Sequence, residues 1–131
     1  WVGAHHPTFG KGVEERFAIA AKVTRDQKSA AEAFREFARP RIDALLGDKG
    51  FLVMPTAPFR APLLTESEED LDAKRYQMMR LFLIASYFGL PQISLPLATS
   101  DAPVALSIVG RRGTDRALLA LAQRLCAKMR K

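Results

Sequence analysis

Serine and histidine are the residues of this chain that could take part in acyl transfer or in metal binding. Ser94 and Ser107 lie inside apolar runs, and a serine hydroxyl becomes a useful nucleophile only when an adjacent base accepts its proton. Neither serine has a glycine-rich turn around it or a lysine close by in sequence. We therefore expect both to be ordinary strand residues, because nothing signals the exposed turn on which a nucleophilic serine sits.

The pair His5-His6 and the acidic run Glu68-Glu69-Asp70 are the other candidates for a chemical site. Adjacent histidines in a loop rarely direct both rings to one ion, and no cysteine or carboxylate cluster follows at ligand spacing. The acidic run follows Ser67, so it is explained by a helix start, where a serine caps and acids interact favourably with the helix dipole. The sequence predicts no metal and no cofactor.

The composition is that of a folded domain rather than a nucleic-acid or membrane protein. The 131 residues include 20 Lys and Arg against 14 Asp and Glu, a net charge of +6. These cations are interleaved with acids and not with aromatic residues, so we expect no nucleic-acid partner. No apolar run reaches the roughly 18 residues of a membrane span, so we expect no membrane partner. A single cysteine, Cys126, is typical of a reducing compartment and predicts a cytoplasmic location.

The first part of the chain predicts a loop followed by two helices. Residues 1–12 lack periodicity and predict a loop or tail, and residues 13–131 form the predicted domain, beginning with a helix near Val13. Thr24 and Gln27 form a capping box for the second helix, which Pro40 should kink or end one residue earlier. Its apolar positions at helical spacing predict an inner face of Phe34, Phe37, Ala38, Ile42, Leu45 and Leu46.

The remainder of the chain predicts three strands and two more helices. The run 51–54 is continuously apolar, and residues 93–97 and 104–108 alternate. The polar turn 99–102 predicts a hairpin between the last two strands. Ser67 starts one long helix, which Gly89 and Pro91 stop, and Asp115 begins the last helix. The sequence therefore predicts an α/β fold, with helices on a small mixed sheet of about three strands that belongs to a larger sheet.

Several short motifs, in their order and spacing, resemble the C-terminal part of the amidase signature family. They are Pro55-Thr56-Ala57-Pro58, then Gly89, Pro91, Ser94 and Pro96, and finally Gly110 and the run 115–119. Residues 45–56 are most similar to the plant indole-3-acetamide hydrolase branch, which also looks like the amidase-like domain of a chloroplast import receptor. Two positions depart from the pattern: Ser86 stands where the family has Asn, and Phe82 where it commonly has Thr.

The resemblance implies hydrolysis of a carbon–nitrogen amide bond by a serine, a second serine and a lysine. In the family these residues lie upstream, around a Gly/Ser-rich loop, and no segment of this chain resembles G-G-S-S-G-G. We therefore expect the chain to be a C-terminal segment that is inactive alone, with the missing N-terminal part of the same protein as its partner. A non-catalytic interaction module and an amidotransferase subunit remain open as alternatives, and so does a homo-oligomer.

The resemblance further implies that this segment forms part of a substrate pocket for a small-molecule amide. The expected lining residues are Thr56, Phe59, Phe82 and Ser86. Phe82 in place of Thr would make the wall more apolar, which favours an aromatic or aliphatic acyl group. The competing explanation is that these residues only pack the core.

Overall fold

The computed structural model describes residues 1–10, 12–97 and 103–129. Two compact units divide the chain, Trp1–Phe37 and Ala38–Lys131. In chain order the elements are α1 Val2–His5, α2 Val13–Ala21, α3 Arg25–Leu46, β1 Leu52–Pro55, α4 Glu68–Phe88, β2 Gln92–Leu97, β3 Val104–Val109 and α5 Asp115–Met129. The predicted loop at 1–12 is wrong for Val2–His5, which form one helical turn closed by the His6 amide donating to the Val2 carbonyl.

The predicted helix starts are confirmed by their capping hydrogen bonds. The Gln27 amide donates to Thr24 Oγ1 at 3.2 Å, and the Thr24 amide donates to Gln27 Oε1 at 2.9 Å. The Asp70 amide donates to Ser67 Oγ at 3.1 Å. Each side chain satisfies an amide that has no partner within its own helix, which fixes where the helix begins.

The predictions for α3 hold only in part. Pro40 does not end the helix, which continues to Leu46. The ring of a proline within a helix faces the carbonyl of the residue four positions earlier, here Glu36. Pro40 and Glu36 both lie on the exposed side of the helix. Phe34, Phe37 and Leu45 are exposed rather than inward, because only the stripe of Ala38, Ile42 and Leu46, spaced four apart, meets the core.

The three strands form one sheet in the order β1-β3-β2, and both pairings are antiparallel. The α/β class and the three strands are confirmed, but the predicted mixed strand directions are wrong. β2 and β3 are joined by a short connection, which requires antiparallel pairing. β1 and β2 run the same way, yet β3 lies between them and keeps the two parallel strands apart. The predicted turn 99–102 lies outside the described residues.

Each face of the sheet carries its own apolar core. On one face a first core joins α3 and α4 to the sheet; its buried residues are Leu46, Met54, Ala85, Phe88, Leu90 and Val109. On the other face a second core joins α5 to β2 and β3; its buried residues are Leu95, Ile108, Leu118 and Ala122. Because strand side chains alternate, β3 serves both cores with successive residues, Ile108 and Val109.

Candidate functional site

Polar side chains interrupt the apolar sheet face beside the first core. Thr56 directly follows β1, and its amide continues the strand ladder by donating to the Ala105 carbonyl at 2.9 Å. Ser107 of β3 lies opposite Ser94 of β2, and Gln92 lies two residues before Ser94. The alternation of strand side chains places all four on the face that carries Met54 and Val109. We call Thr56, Gln92, Ser94 and Ser107 the hydroxyl cluster.

Hydrogen bonds of ordinary length connect the members of the hydroxyl cluster. Thr56 Oγ1 lies 2.8 Å from Ser94 Oγ and 2.9 Å from Ser107 Oγ. Gln92 Nε2 donates to Ser107 Oγ at 2.9 Å. Ser107 is fully buried, Thr56 and Gln92 are half-buried and Ser94 is exposed. The cluster therefore leads from the sheet interior to solvent.

The hydroxyl cluster has no general base of its own among the described residues. Its side-chain hydrogen bonds join hydroxyls to one another and to an amide, and none involves a lysine, histidine or carboxylate. A serine or threonine without a base remains a weak nucleophile. The arrangement can hold and orient a polar group, and by itself it does not start acyl transfer.

Thr56→Val is expected to lower the free energy of unfolding by about 1–3 kcal/mol, the cost of a buried hydroxyl left without its partner. Valine keeps the shape of threonine but cannot accept from the fully buried Ser107 hydroxyl, which Thr56 contacts at 2.9 Å. Urea unfolding would measure the change. Thr56→Ser, which keeps the hydroxyl, is the matched control. Equal stability of the valine and serine variants would show that the Thr56–Ser107 bond contributes nothing.

The four residues expected to line a pocket are placed in three different surroundings. Thr56 belongs to the hydroxyl cluster, and the half-buried Phe59 lies under the Lys74 ammonium, which is 5.6 Å from the ring centroid. Phe82 is half-buried on α4. Ser86 is exposed, and its Oγ donates to the Phe82 carbonyl at 2.9 Å, within the same helix. No hydrogen bond or ring contact of the described residues joins Thr56 or Phe59 to Phe82 or Ser86, and their lining role stays a prediction.

Sequence reasoning missed that Ser94 and Ser107 are hydrogen-bond partners of Thr56, and that Gln92 is a partner of Ser107. The strand placement predicted for the two serines is confirmed. One signal was available: each of the two segments with alternating apolar residues contains a serine. Ser and Thr side chains on adjacent strands commonly form hydrogen bonds with each other. The position of Thr56 over the central strand could not be predicted, because it depends on how the chain leaves β1.

Phe59 is held in place through a cation that is itself paired. Lys74 forms an ion pair with Glu66, which also accepts from the Leu63 amide at 3.0 Å. The hydrogen bond from Lys74, followed by that from Leu63, lowers the pKa of the Glu66 carboxyl below its ordinary value. The Pro-rich segment after β1 is thereby tied to α4.

The Glu66 ion pair predicts a loss of stability at acid pH. A carboxylate whose pKa is lower in the folded state stabilises the fold above its unfolded pKa, about 4.3, and that contribution is lost as the pH falls through the folded value. Glu66→Gln should remove this part of the acid dependence. Melting temperatures measured from pH 7 to pH 3 would show it, with the exposed Glu32→Gln as control. Parallel pH profiles for wild type and Glu66→Gln would contradict the assignment.

Two cavities of the described structure lie elsewhere. One of about 680 Å³ is lined by residues of the first unit, including the stacked rings of Phe9 and Phe17. Another of about 250 Å³ lies between Asp48, Phe51 and Arg111. Neither is lined by a residue of the hydroxyl cluster or by the four expected pocket residues.

The described residues contain neither a cluster of metal-ligating side chains nor a membrane-spanning helix. No group of three or more His, Cys, Asp or Glu side chains in residues 1–10, 12–97 and 103–129 is placed to hold a metal ion. Within the same ranges, no helix combines the length and apolarity needed to cross a membrane.

The sequence matches the Amidase family over residues 4–119. The chain belongs to the amidase family. Amidase 1 of Arabidopsis thaliana is 32% identical over 97% of this chain and 30% of its own length. Outer envelope protein 64, chloroplastic, of Arabidopsis thaliana is 30% identical over 91% of the chain and 20% of its own length.

A solved amidase confirms the fold assignment for this amidase-family chain. The structure titled "Crystal structure of amidase" superposes with a TM-score of 0.79 at 27% identity, covering 98% of this chain and 31% of the amidase. The chain thus spans less than a third of the relatives it matches. The resemblance of the Pro-Thr-Ala-Pro and Gly/Pro/Ser motifs to the amidase signature family is confirmed.

Proposed function

We propose that this chain is the C-terminal part of an amide hydrolase whose serine nucleophile, second serine and lysine lie upstream. The observation that carries the proposal is the Amidase match over residues 4–119, in a chain without a Gly/Ser-rich loop. Upstream, a lysine with a lowered pKa would accept the serine proton, and backbone amides of the loop would stabilise the oxyanion. No metal or cofactor takes part in this scheme.

The role of the chain in that hydrolase is structural and substrate-directed. Its three strands and the helices α3, α4 and α5 supply two apolar cores. The sheet end at Thr56 and the α4 residues Phe82 and Ser86 would form part of the pocket wall, with Phe59 beside them. The substrate class is a small or aryl-acyl primary amide, because a phenylalanine wall favours an apolar acyl group.

Ammonia release by the complete protein tests this function. Phenylacetamide and propionamide are suitable primary amides, and the matched control is a variant with the upstream loop serine replaced by alanine. The proposal expects turnover that the serine variant loses. Absence of turnover from a folded complete protein that carries the lysine and the serine-rich loop would overturn it.

Phe82→Ala in the complete protein is expected to raise the KM for phenylacetamide roughly tenfold. The reason is the lost apolar contact between the ring and the acyl group. A tenfold change corresponds to about 1.4 kcal/mol, which is what burial of part of a phenylalanine ring contributes. The KM for propionamide should change less, because its short acyl group reaches less of the wall. Tyr76→Ala, an exposed position of the same helix, is the control. Unchanged kcat and KM across both amides would contradict the wall role.

A second candidate function is a non-catalytic interaction module on the same fold. The similarity to the chloroplast outer envelope protein is only two percentage points below that to Amidase 1. A degraded upstream lysine and serine-rich loop would favour this candidate, and an intact loop favours the hydrolase. An amidotransferase subunit would instead copurify with a stably associated partner chain. A cytoplasmic location belongs to the hydrolase proposal, and an envelope location would favour the module.

A further inference from the structure

The hydrogen bonds of the hydroxyl cluster can be assigned a direction, starting from its buried end. Gln92 Nε2 can only donate, so Ser107 Oγ accepts from it at 2.9 Å. Ser107 is 0% exposed, and its only other side-chain partner in the described structure is Thr56 Oγ1. A buried hydroxyl proton without an acceptor is costly. Ser107 therefore donates to Thr56.

Cooperativity between hydrogen bonds favours one direction for the next bond. Thr56 has one hydroxyl proton, and it already accepts from Ser107 at 2.9 Å. Either hydroxyl can donate across the 2.8 Å between Thr56 Oγ1 and Ser94 Oγ. Donation by Thr56 is the favoured direction, because a hydroxyl that already accepts a hydrogen bond is polarised into a stronger donor. The order of donation runs from Gln92 through Ser107 and Thr56 to Ser94, and successive bonds in such a chain polarise one another.

Ser94 is left with a proton that points away from the cluster. Its side chain is exposed, so this proton meets solvent or a ligand. We propose that the Ser94 hydroxyl is a fixed hydrogen-bond donor that binds the acyl oxygen of an amide or of its acid product. Ser94 is thus the residue that touches the ligand, and its partners Gln92, Ser107 and Thr56 are positioning residues that act through it.

An acceptor oxygen is the ligand group that an outward-directed Ser94 hydroxyl would bind. The sheet face that carries Ser94 and Ser107 turns apolar at Met54 and Val109, which belong to the first core. Met54 and Val109 are 8% and 0% exposed, so they are covered within the first core and offer no surface to a ligand. The proposal rests on the proposed function, because it makes the cluster part of the amide pocket.

Binding of two non-reacting probes to the complete protein tests the proposal without requiring turnover. Phenylacetone offers a neutral carbonyl oxygen and phenylacetate a carboxylate, so the pair distinguishes an amide-like from an acid-like ligand. Dissociation constants would come from ligand-observed NMR. Ser94→Ala should weaken the preferred probe about 3- to 10-fold, the effect of one hydrogen bond, and Ser94→Thr should retain binding.

The Gln92→Glu variant distinguishes a donor role of Ser94 from a purely structural role of the hydroxyl cluster. A carboxylate only accepts, so it would take the Ser107 proton and reverse the whole chain, leaving Ser94 donating to Thr56 instead of outward. Phenylacetone should then bind as weakly as in Ser94→Ala although Ser94 is intact. Gln123→Glu, at an exposed position of α5, adds the same charge elsewhere and should bind normally.

The outcomes separate this inference from the proposed function. Wild-type affinity for both probes in Ser94→Ala overturns the donor role, and wild-type affinity in Gln92→Glu overturns the direction of the chain. Amide turnover together with either result leaves the hydrolase intact and removes only the inference. Probe binding that depends on Ser94 in a complete protein without turnover would support the inference and count against the hydrolase.

Discussion

Phe88→Ala is expected to lower the free energy of unfolding by about 3–5 kcal/mol, the usual cost of deleting a buried aromatic side chain. Phe88 ends α4, is only 8% exposed and lies in the first core with Met54 and Val109 of the sheet. Its ring also contacts Tyr87 edge to face, with centroids 5.2 Å apart. The backbone carbonyl of Phe88 still accepts from Arg112 in the variant, so the measured loss belongs to the ring.

Phe34→Ala is the matched control for the first core. Phe34 is a helical phenylalanine that is 60% exposed, and exposed substitutions usually change stability by about 0.5 kcal/mol or less. Urea unfolding of both variants would measure the difference. Equal losses would mean that α4 does not pack on the sheet through Phe88.

Leu118→Ala is expected to lower the free energy of unfolding by about 2–5 kcal/mol. Leu118 is 3% exposed and fills the second core against Leu95 and Ile108. The loss combines the apolar surface returned to water with the cavity that the rigid sheet cannot close. The loss of stability in Leu118→Ala therefore measures packing on the face of the sheet opposite to the one that Phe88 covers.

Leu119→Ala is an internal control for the second core. Leu119 is the next residue of α5, has the same chemistry and is 55% exposed. Its substitution should change the unfolding free energy by about 0.5 kcal/mol or less. A larger loss for Leu119→Ala than for Leu118→Ala in urea unfolding would show that α5 packs with a different face.

Local sequence signals were enough to predict the helices and strands, but how these elements pack could be seen only in the structure. Ser67 and Gly89 mark both ends of α4 because their caps are local: the Asp70 amide bonds to Ser67, and Gly89 adopts a positive φ of 64°. The exposure of Phe34 and Leu45 was not predictable, because helical spacing gives a face but not what covers it. Strand direction likewise depended on β3 lying between β1 and β2.

The candidate site was predicted only through Thr56. It was the one cluster member expected to line the pocket, and the partners that hold its hydroxyl, Ser94 and Ser107, lie 38 and 51 residues further along the chain. Sequence separation of that size hides a contact unless strand register is known. Ser86 shows the opposite case, since its hydroxyl is engaged by its own helix at Phe82.

Amide turnover by the purified 131-residue chain, compared with that of the complete protein, tests the central claim most directly. The account predicts that phenylacetamide releases ammonia with the complete protein and none above background with the chain alone, at matched concentration and with circular dichroism confirming helical structure in both. Turnover by the chain alone that a Ser94→Ala or Ser107→Ala substitution abolishes would contradict the account, because the nucleophile would then lie in the chain itself.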